Sequence, residues 1–451
     1  MNQCLLQPYS HDKVLSALSL MSPLKSPCPN GLPPIFIQKY WHIVGAIIVR
    51  CVLKFLNSCN FLPRFNFLSF LSLSALPPES VSQFRPISLC NVVYTLASKA
   101  IANRLKQFLD SIISPFQSAF VPNRLITDNV LVAFELHHFL EHKKRGKVGL
   151  ASLKLDMSKA YDRIEWGFLE RVLDRLGFPQ SFEAGASNNF KGVAVAKGAP
   201  RVSHLLFTDD SLIFSEATTK AFGCIKEILS KYEKASGQFI NLQKSSVTFK
   251  GNTDLNLQPK KEIFQNLRER IWKKVMGWKE KLLSQAGKEV LIKSVLQAIP
   301  SYTMSCFLLP KTFVKELESI LAYFWWGSLN EKKIHWILWT KLCESKRSGG
   351  MGFRDFEAFN LALMAKHVWR ILKNPDTLLS KIFKEKYLAR GSILEAKLGF
   401  NPSSTWRSLW KAIPLIKAGS RWRVGDGSNF QIWRDQWLPM IYVFIVDNLN
   451  L

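Results

Sequence analysis

LKLDMSKAYDRIEWGFLERVL, residues 153–173, and HLLFTDDSLIF, residues 204–214, are the two stretches on which the fold of this chain turns. In the first, Leu153 and Leu155 alternate with Lys154, which predicts a half-buried strand ending at Asp156. Apolar spacing over residues 165–176 then predicts a helix, so the turn between the two carries the polar side chains. In the second stretch, two apolar runs flank Thr208-Asp209-Asp210-Ser211, the pattern of a β-hairpin with a polar tip.

Set on adjacent strands, Asp156, Asp209 and Asp210 would bring three carboxylates together, an arrangement that is unfavourable unless cations neutralise it. Two Mg²⁺ ions sharing such carboxylates can activate a primer 3′-hydroxyl and stabilise a leaving pyrophosphate, which is two-metal phosphoryl transfer. Spacing alone leaves the plainer alternative open, because an Asp-Asp pair at a turn also serves as a turn-former or a solvated cap.

Outward from these stretches the pattern is mostly helical. Val92, Leu96, Ile101, Leu105 and Leu109 recur at helical spacing, and a second amphipathic helix is expected from Asp128 onward. Residues 8–60 read as short helices around the Pro/Gly turn SPCPNGLPP at 26–34. The apolar stretch 43–76 is cut by Arg50, Lys54, Pro63 and Arg64 into pieces shorter than the roughly 20 residues of a bilayer span, so no membrane segment is expected. Residues 180–203 are small, Gly/Ala-rich and weakly patterned. Beyond 217 long basic amphipathic helices succeed one another, and 12 of the 14 Trp fall there without a repeat period.

With 451 residues and 47% hydrophobic content, the chain can bury two or three cores. Its 61 Lys+Arg against 34 Asp+Glu leave a net +27, which favours a polyanionic partner, nucleic acid first. Of these, 38 basic and 19 acidic residues lie at 217–451, a net +19. A solvated basic face is the bland alternative. The eight Cys form no C-x-x-C pair, which argues against a disulfide framework or zinc module and fits a reducing compartment. The start, MNQCLLQPYSHDKV, lacks the layout of a signal peptide, so an intracellular location, nuclear or cytoplasmic, is expected.

Four strings, SVSQFRPISLCNVVYTLASKAIANRLK (80–106), ISPFQSAFVPNRLITDNVLVAFE (113–135), LKLDMSKAYDRIEWGFLERVL and HLLFTDDSLIF, stand in the order found in reverse transcriptases of plant LINE-type, non-LTR retroelements, and the chain resembles that family. Upstream QKYWHIVG and downstream WKEKLLSQAGKEVLIKSVLQAIPSYTMSCFLLP, IHWILWTKLCESKRSGGMGFRDFEAFNLALMAKHVWRIL and WRVGDGSNFQIWRDQWLP extend the likeness over nearly the whole length. The resemblance implies RNA-directed DNA synthesis with two Mg²⁺, an RNA template, a DNA primer and deoxynucleoside triphosphates. It assigns Asp156, Asp209 and Asp210 as metal ligands, with Thr208 where the family usually has Ala. Tyr161 corresponds to the aromatic that screens the sugar 2′ position; its plain alternative is a packed core tyrosine. Arg85 is similar to a residue near the triphosphate, where a guanidinium fork suits phosphate oxygens. Gln117, Phe120 and Arg124 are similar to the template side of the fingers.

The implied fold is α+β, a right-hand polymerase with an N-terminal extension (1–75), fingers and a truncated palm (76–216), a helical thumb (217–310) and a helical Trp-rich connection region (311–451). Two departures qualify the implied activity. Only 24 residues separate Pro179 from His204, several times fewer than the family uses, and its Arg-Gln-Gly-Asp-Pro-type pocket string does not occur. The uncharged run FNFLSFLSLSALPPES at 65–80 stands where the family has a strand and a Lys-bearing loop. No endonuclease, Cys/His zinc-binding segment or RNase H domain is read between Met1 and Leu451. The expectation is therefore a polymerase with lost or severely reduced activity; the alternatives are a non-catalytic basic nucleic-acid-binding protein and a pseudogene product without a role.

Overall fold

The computed structural model describes residues 2–24, 32–58, 68–73, 84–143, 149–176, 193, 195–196, 198–249, 260–279, 283–327, 336–388 and 391–421, with backbone alone at 2, 58, 68–73, 84–89, 161–162, 260–263 and 279. They belong to two compact units: 1–114, 120–123 and 164–186 form the first, the remainder the second.

In the first unit three helices share a core: Val14, Ala17 and Leu18 of His11–Ser19, Ile48, Val49 and Val52 of Trp41–Ser58, and Val92, Leu96, Ala97 and Ala100 of Val92–Leu105. The last begins where the Asn91 side chain accepts from Tyr94 N at 2.8 Å, which satisfies an otherwise orphaned donor. Near its other end Arg104 lies over the Tyr9 ring and donates to Leu5 O at 2.7 Å. Strands β1 (Leu68–Leu73) and β2 (Phe84–Leu89) pair antiparallel from Leu68↔Leu89 to Leu73↔Phe84. The run at 65–80 thus supplies a strand at 68–73, its Leu and Phe interleaved with Ser. None of the helices among the described residues is long and apolar enough to cross a membrane.

The second unit is built on a four-stranded antiparallel sheet in the order β4-β5-β3-β6, from β3 (Leu150–Leu155), β4 (His204–Phe207), β5 (Asp210–Glu216) and β6 (Ser246–Phe249). Side chains alternate across a strand, and here both faces are covered. Ala151, Leu153, Leu155 and Ile213 pack with Ile225 of the helix Thr219–Ser236. Leu150, Leu205 and Phe214 pack with Leu131, Val132, Leu136 and Leu140 of the helix Ile126–His142. The 219–236 helix is bounded as its sequence dictates: Thr218 caps Ala221 N at 3.2 Å, and Gly237, at φ 73°, ends it in a left-handed turn.

Two further groups of helices complete this unit. Lys260–Lys279 buries Leu267, Ile271 and Val275, spaced by four, against Phe313, Leu317, Leu321 and Phe324 of Lys311–Trp326. Phe356–Lys373, Leu378–Tyr387 and Ser404–Gly419 instead join the core of the 126–142 helix through Val368, Phe383, Trp406 and Leu409. Asn360 secures the chain between the groups: its amide donates to Met304 O at 2.6 Å and Phe307 O at 2.8 Å and accepts from Leu309 N at 2.7 Å. The protein is thus α+β, helix-rich with a small sheet.

At the centre of the second unit stands Glu135, which is 0% exposed. Its carboxylate accepts from Lys386 Nζ at 2.7 Å, from the Tyr387 hydroxyl at 2.9 Å and from the Ser403 hydroxyl. Ser403 in turn caps the 404–419 helix, its Oγ accepting from Trp406 N at 2.9 Å. Burial and the Glu135 carboxylate push the Tyr387 phenol up, so it remains a donor. About two turns earlier on the same helix Asp128 takes a 2.6 Å bond from Arg370. A buried carboxylate stripped of its cation is strongly unfavourable. Lys386→Met is therefore expected to lower stability by about 3–5 kcal/mol in urea denaturation, and Glu135→Leu with Lys386→Met by clearly less than Lys386→Met alone.

The adjacent His138 ring stacks on His142 at 4.2 Å, and burial, then Lys386 and His142, lower its pKa to about 4. Because the folded value lies below the ordinary 6.5, its stabilising contribution is complete above pH 6.5 and is lost as pH falls toward 4. His138→Gln should flatten the fall in denaturation midpoint over that window; an unchanged slope would contradict the assignment.

Candidate active site

β3 ends at Leu155, and the turn that follows is bonded residue by residue to the segment 238–245. Asp156 N donates to Ser245 Oγ at 3.2 Å, and Asp156 O accepts from Asn241 N at 2.8 Å. Ser158 N donates to Phe239 O at 2.8 Å, Met157 bridges Ile240, and Gln238 Nε2 donates to Ala160 O at 2.7 Å. Asp156 is thereby fixed from both sides at a half-buried position. Sequence reasoning did not single out Gln238, Asn241 or Ser245; the available signal was the Gly237 helix stop followed by a short run of turn-forming polar residues before β6. Tyr161 falls in the short helix Ala160–Arg163, and its side chain lies outside the described residues.

The second aspartate stretch forms the β4–β5 hairpin, paired from His204↔Ile213 to Phe207↔Asp210. β5 also pairs with β3, and that ladder ends at Leu155↔Ser211. One residue beyond it on each strand stand Asp156 and Asp210, where antiparallel neighbours are about 4.5–5.5 Å apart at Cα. Asp209 occupies the turn with Thr208, and both aspartates of the hairpin are exposed. Thr208 takes φ 56°, unfavourable for a β-branched residue. Oxygen donors of this kind suit Mg²⁺. Among the described residues no group of three or more Asp, Glu, His or Cys side chains is placed together.

Gln117 lies along the outer edge of β4. It forms a parallel bridge with Leu206, flanked by Leu206 N to Phe116 O at 2.9 Å and Ser118 N to Leu206 O at 3.2 Å. Its side chain accepts from Ala119 N at 2.9 Å, while Arg124 Nη1 donates to Gln117 O at 2.8 Å. Asn129 adds a 2.9 Å bond to Leu206 O. Phe120 and Arg85 belong to the first unit: Phe120 is 83% exposed at φ 61°, and Arg85 pairs with Ser72 in the β1–β2 ladder, its side chain outside the described residues.

Residues 76–201 match the reverse transcriptase (RNA-dependent DNA polymerase) family. An uncharacterized mitochondrial protein of Arabidopsis thaliana is 43% identical over 143 residues, which are 31% of this chain and 93% of that protein. A putative ribonuclease H protein of the same plant is 34% identical over 194 residues, 42% of this chain and 31% of that one. The transposon TX1 uncharacterized 149 kDa protein of Xenopus laevis is 35% identical over 179 residues, 39% of this chain and 13% of its own length. The chain belongs to the reverse transcriptases, and within them to those of non-LTR retrotransposons. It spans less than a third of the latter two relatives. A telomerase structure from Candida albicans superposes with a TM-score of only 0.26 at 10% identity, over 77% of this chain and 69% of that one, too weak a likeness to add to the argument.

The strain at the hairpin tip generates a prediction. Asn adopts the left-handed conformation more readily than Thr, so Thr208→Asn should raise stability by about 1 kcal/mol in urea denaturation. A loss of stability would show that the Thr208 side chain contributes more than its backbone costs.

Proposed function

We propose that this chain is an RNA-directed DNA polymerase remnant, with fingers and a truncated palm at 76–216, a thumb at 217–310 and a connection region at 311–451, whose nucleotidyl transfer is severely reduced. In this reading Asp156, Asp209 and Asp210 are the Mg²⁺ ligands and Tyr161 faces the sugar of an incoming deoxynucleoside triphosphate. Arg85 serves the triphosphate, and Gln117, Phe120 and Arg124 serve the RNA template. The observation that carries it is the β3–β5 register, which ends one residue short of Asp156 on one strand and of Asp210 on the other. Adjacent carboxylates on neighbouring strands have a chemical purpose where cations bind and little elsewhere.

The reduction rests on the short connection between the two aspartate stretches. With 24 residues from Pro179 to His204, little chain remains to form the floor of a nucleotide pocket, and the carboxylates lack a convergent arrangement among the described residues. A second reading, a basic nucleic-acid-binding protein without synthesis, has an observation of its own. The 260–279 helix buries one apolar stripe and exposes Arg268, Arg270, Lys273 and Lys274.

The test is primer extension on an RNA template with Mg²⁺, the chain set beside its Asp209→Asn, Asp210→Asn counterpart. The expected result is extension indistinguishable from the counterpart, with nucleic acid still bound. Extension that vanishes only in the counterpart would overturn the proposed impairment, and failure to bind template or primer at all would overturn the polymerase reading.

A further inference from the structure

Far along the chain from the aspartates, the loop before the last described helix presents an aromatic residue to solvent. Phe400 is 101% exposed. Its display is built. Gly399 and Asn401 on either side take left-handed backbone, φ 76° and φ 50°, so the chain turns sharply about Phe400. The loop is pinned to the Ser404–Gly419 helix by two indoles one turn apart: Trp406 Nε1 donates to Leu398 O at 3.1 Å and Trp410 Nε1 to Ala396 O at 3.0 Å. The far end is tied down by Ser403, which caps the helix and bonds Glu135. Trp406 is wholly buried and stacks on Tyr387 at 4.5 Å, whereas Trp410 stays 37% exposed.

Cations lie close in sequence to these two aromatics. Lys397 on the loop and Arg407 and Lys411 on the helix are exposed, and Glu395 is the one acidic residue between 391 and 421, against five basic ones. A preorganised exposed ring and a second half-exposed one, with exposed cations on the same loop and helix, match single-stranded nucleic acid. Unpaired bases offer flat apolar faces to stack on beside phosphates to pair with lysine and arginine, whereas a duplex keeps its base faces stacked inside. A protein partner would find the apolar patch but leave the charge without a counterpart.

We propose that the 396–403 loop and the outer face of the 404–419 helix form a docking surface for single-stranded nucleic acid, distinct from the aspartate site, in which Phe400 and Trp410 stack on bases while Lys397, Arg407 and Lys411 meet phosphates. The surface holds a strand whether or not synthesis occurs, so it does not depend on the polymerase reading.

The test uses the full chain carrying Asp209→Asn and Asp210→Asn, which removes synthesis from the readout. Fluorescence anisotropy is measured with a labelled 20-nucleotide oligo(dT) and with a 20-base-pair duplex. Phe400→Ala, at a fully exposed position, is expected to weaken oligo(dT) binding about five-fold or more, the scale of one lost base stack, while duplex affinity stays within about two-fold. Phe400→Trp should restore it. Lys397→Glu with Lys411→Glu should weaken binding and flatten its salt dependence. Irradiation of a 5-iodouracil-substituted strand should cross-link within residues 396–411. Unchanged oligo(dT) affinity in Phe400→Ala, an equal loss for duplex, or cross-links confined elsewhere would each overturn the proposal.

Discussion

The second unit depends on how a buried carboxylate is kept satisfied. Glu135 faces the interior from the middle of the 126–142 helix, the helix that covers one face of the sheet. Carboxylates are rarely found so deep, because the charged form loses its hydration there unless cations and hydroxyls replace the water. Here the replacements come from elements some 250 residues later in sequence: Lys386 and Tyr387 close one helix and Ser403 opens the next. Apolar packing through Val368, Phe383 and Trp406 is non-directional and would tolerate sliding. Three hydrogen bonds converging on one carboxylate do not, so Glu135 sets the register in which the C-terminal helices dock.

That register has consequences at both ends of the unit. Toward the sheet it holds the helix whose Asn129 reaches Leu206 O, and Leu206 is the β4 residue that also receives the Gln117 edge. Toward the C-terminus it holds Ser403, hence the start of the 404–419 helix and the loop that ends in Phe400. A displaced Ser403 would free the loop between Leu398 and Asn401 from one anchor, leaving the two indole bonds to hold it. The hairpin tip and the exposed aromatic are thus supported from a common post, though neither touches it.

Local pattern made much of this legible. Alternation about Lys154 marks β3, the apolar runs around Thr208-Asp209 mark the hairpin, and helical spacing marks Val92–Leu105 and Ile126–His142. What escaped the pattern is what depends on partners distant in sequence. Glu135 reads as an ordinary polar position on an amphipathic helix, since its identity as a buried node exists only once Lys386 and Ser403 arrive. The 238–245 segment escaped for the same reason, because its bonds to Asp156 and Ala160 run through backbone groups that every residue possesses. At 68–73 the interleaving of Leu and Phe with Ser carries the strand signal.

Only 24 residues separate Pro179 from His204, yet the strands on either side of that short link belong to one sheet. The sheet does not need a longer connection for its core. One face is closed by Ile126–His142, which precedes β3, and the other by Thr219–Ser236, which follows β5. Neither helix lies between Pro179 and His204. β4 is flanked by β5 on one side and by the Phe116–Ser118 edge on the other, so its backbone groups are paired without any inserted strand. Val193 and Val202 close the remaining connection by bonding to each other at 2.9 and 2.8 Å. The hydrophobic faces that drive the folding of this sheet are therefore covered by elements outside the connection. The proposed grip on nucleic acid, at the helices beyond 217 and the loop at Phe400, likewise draws on elements outside that connection.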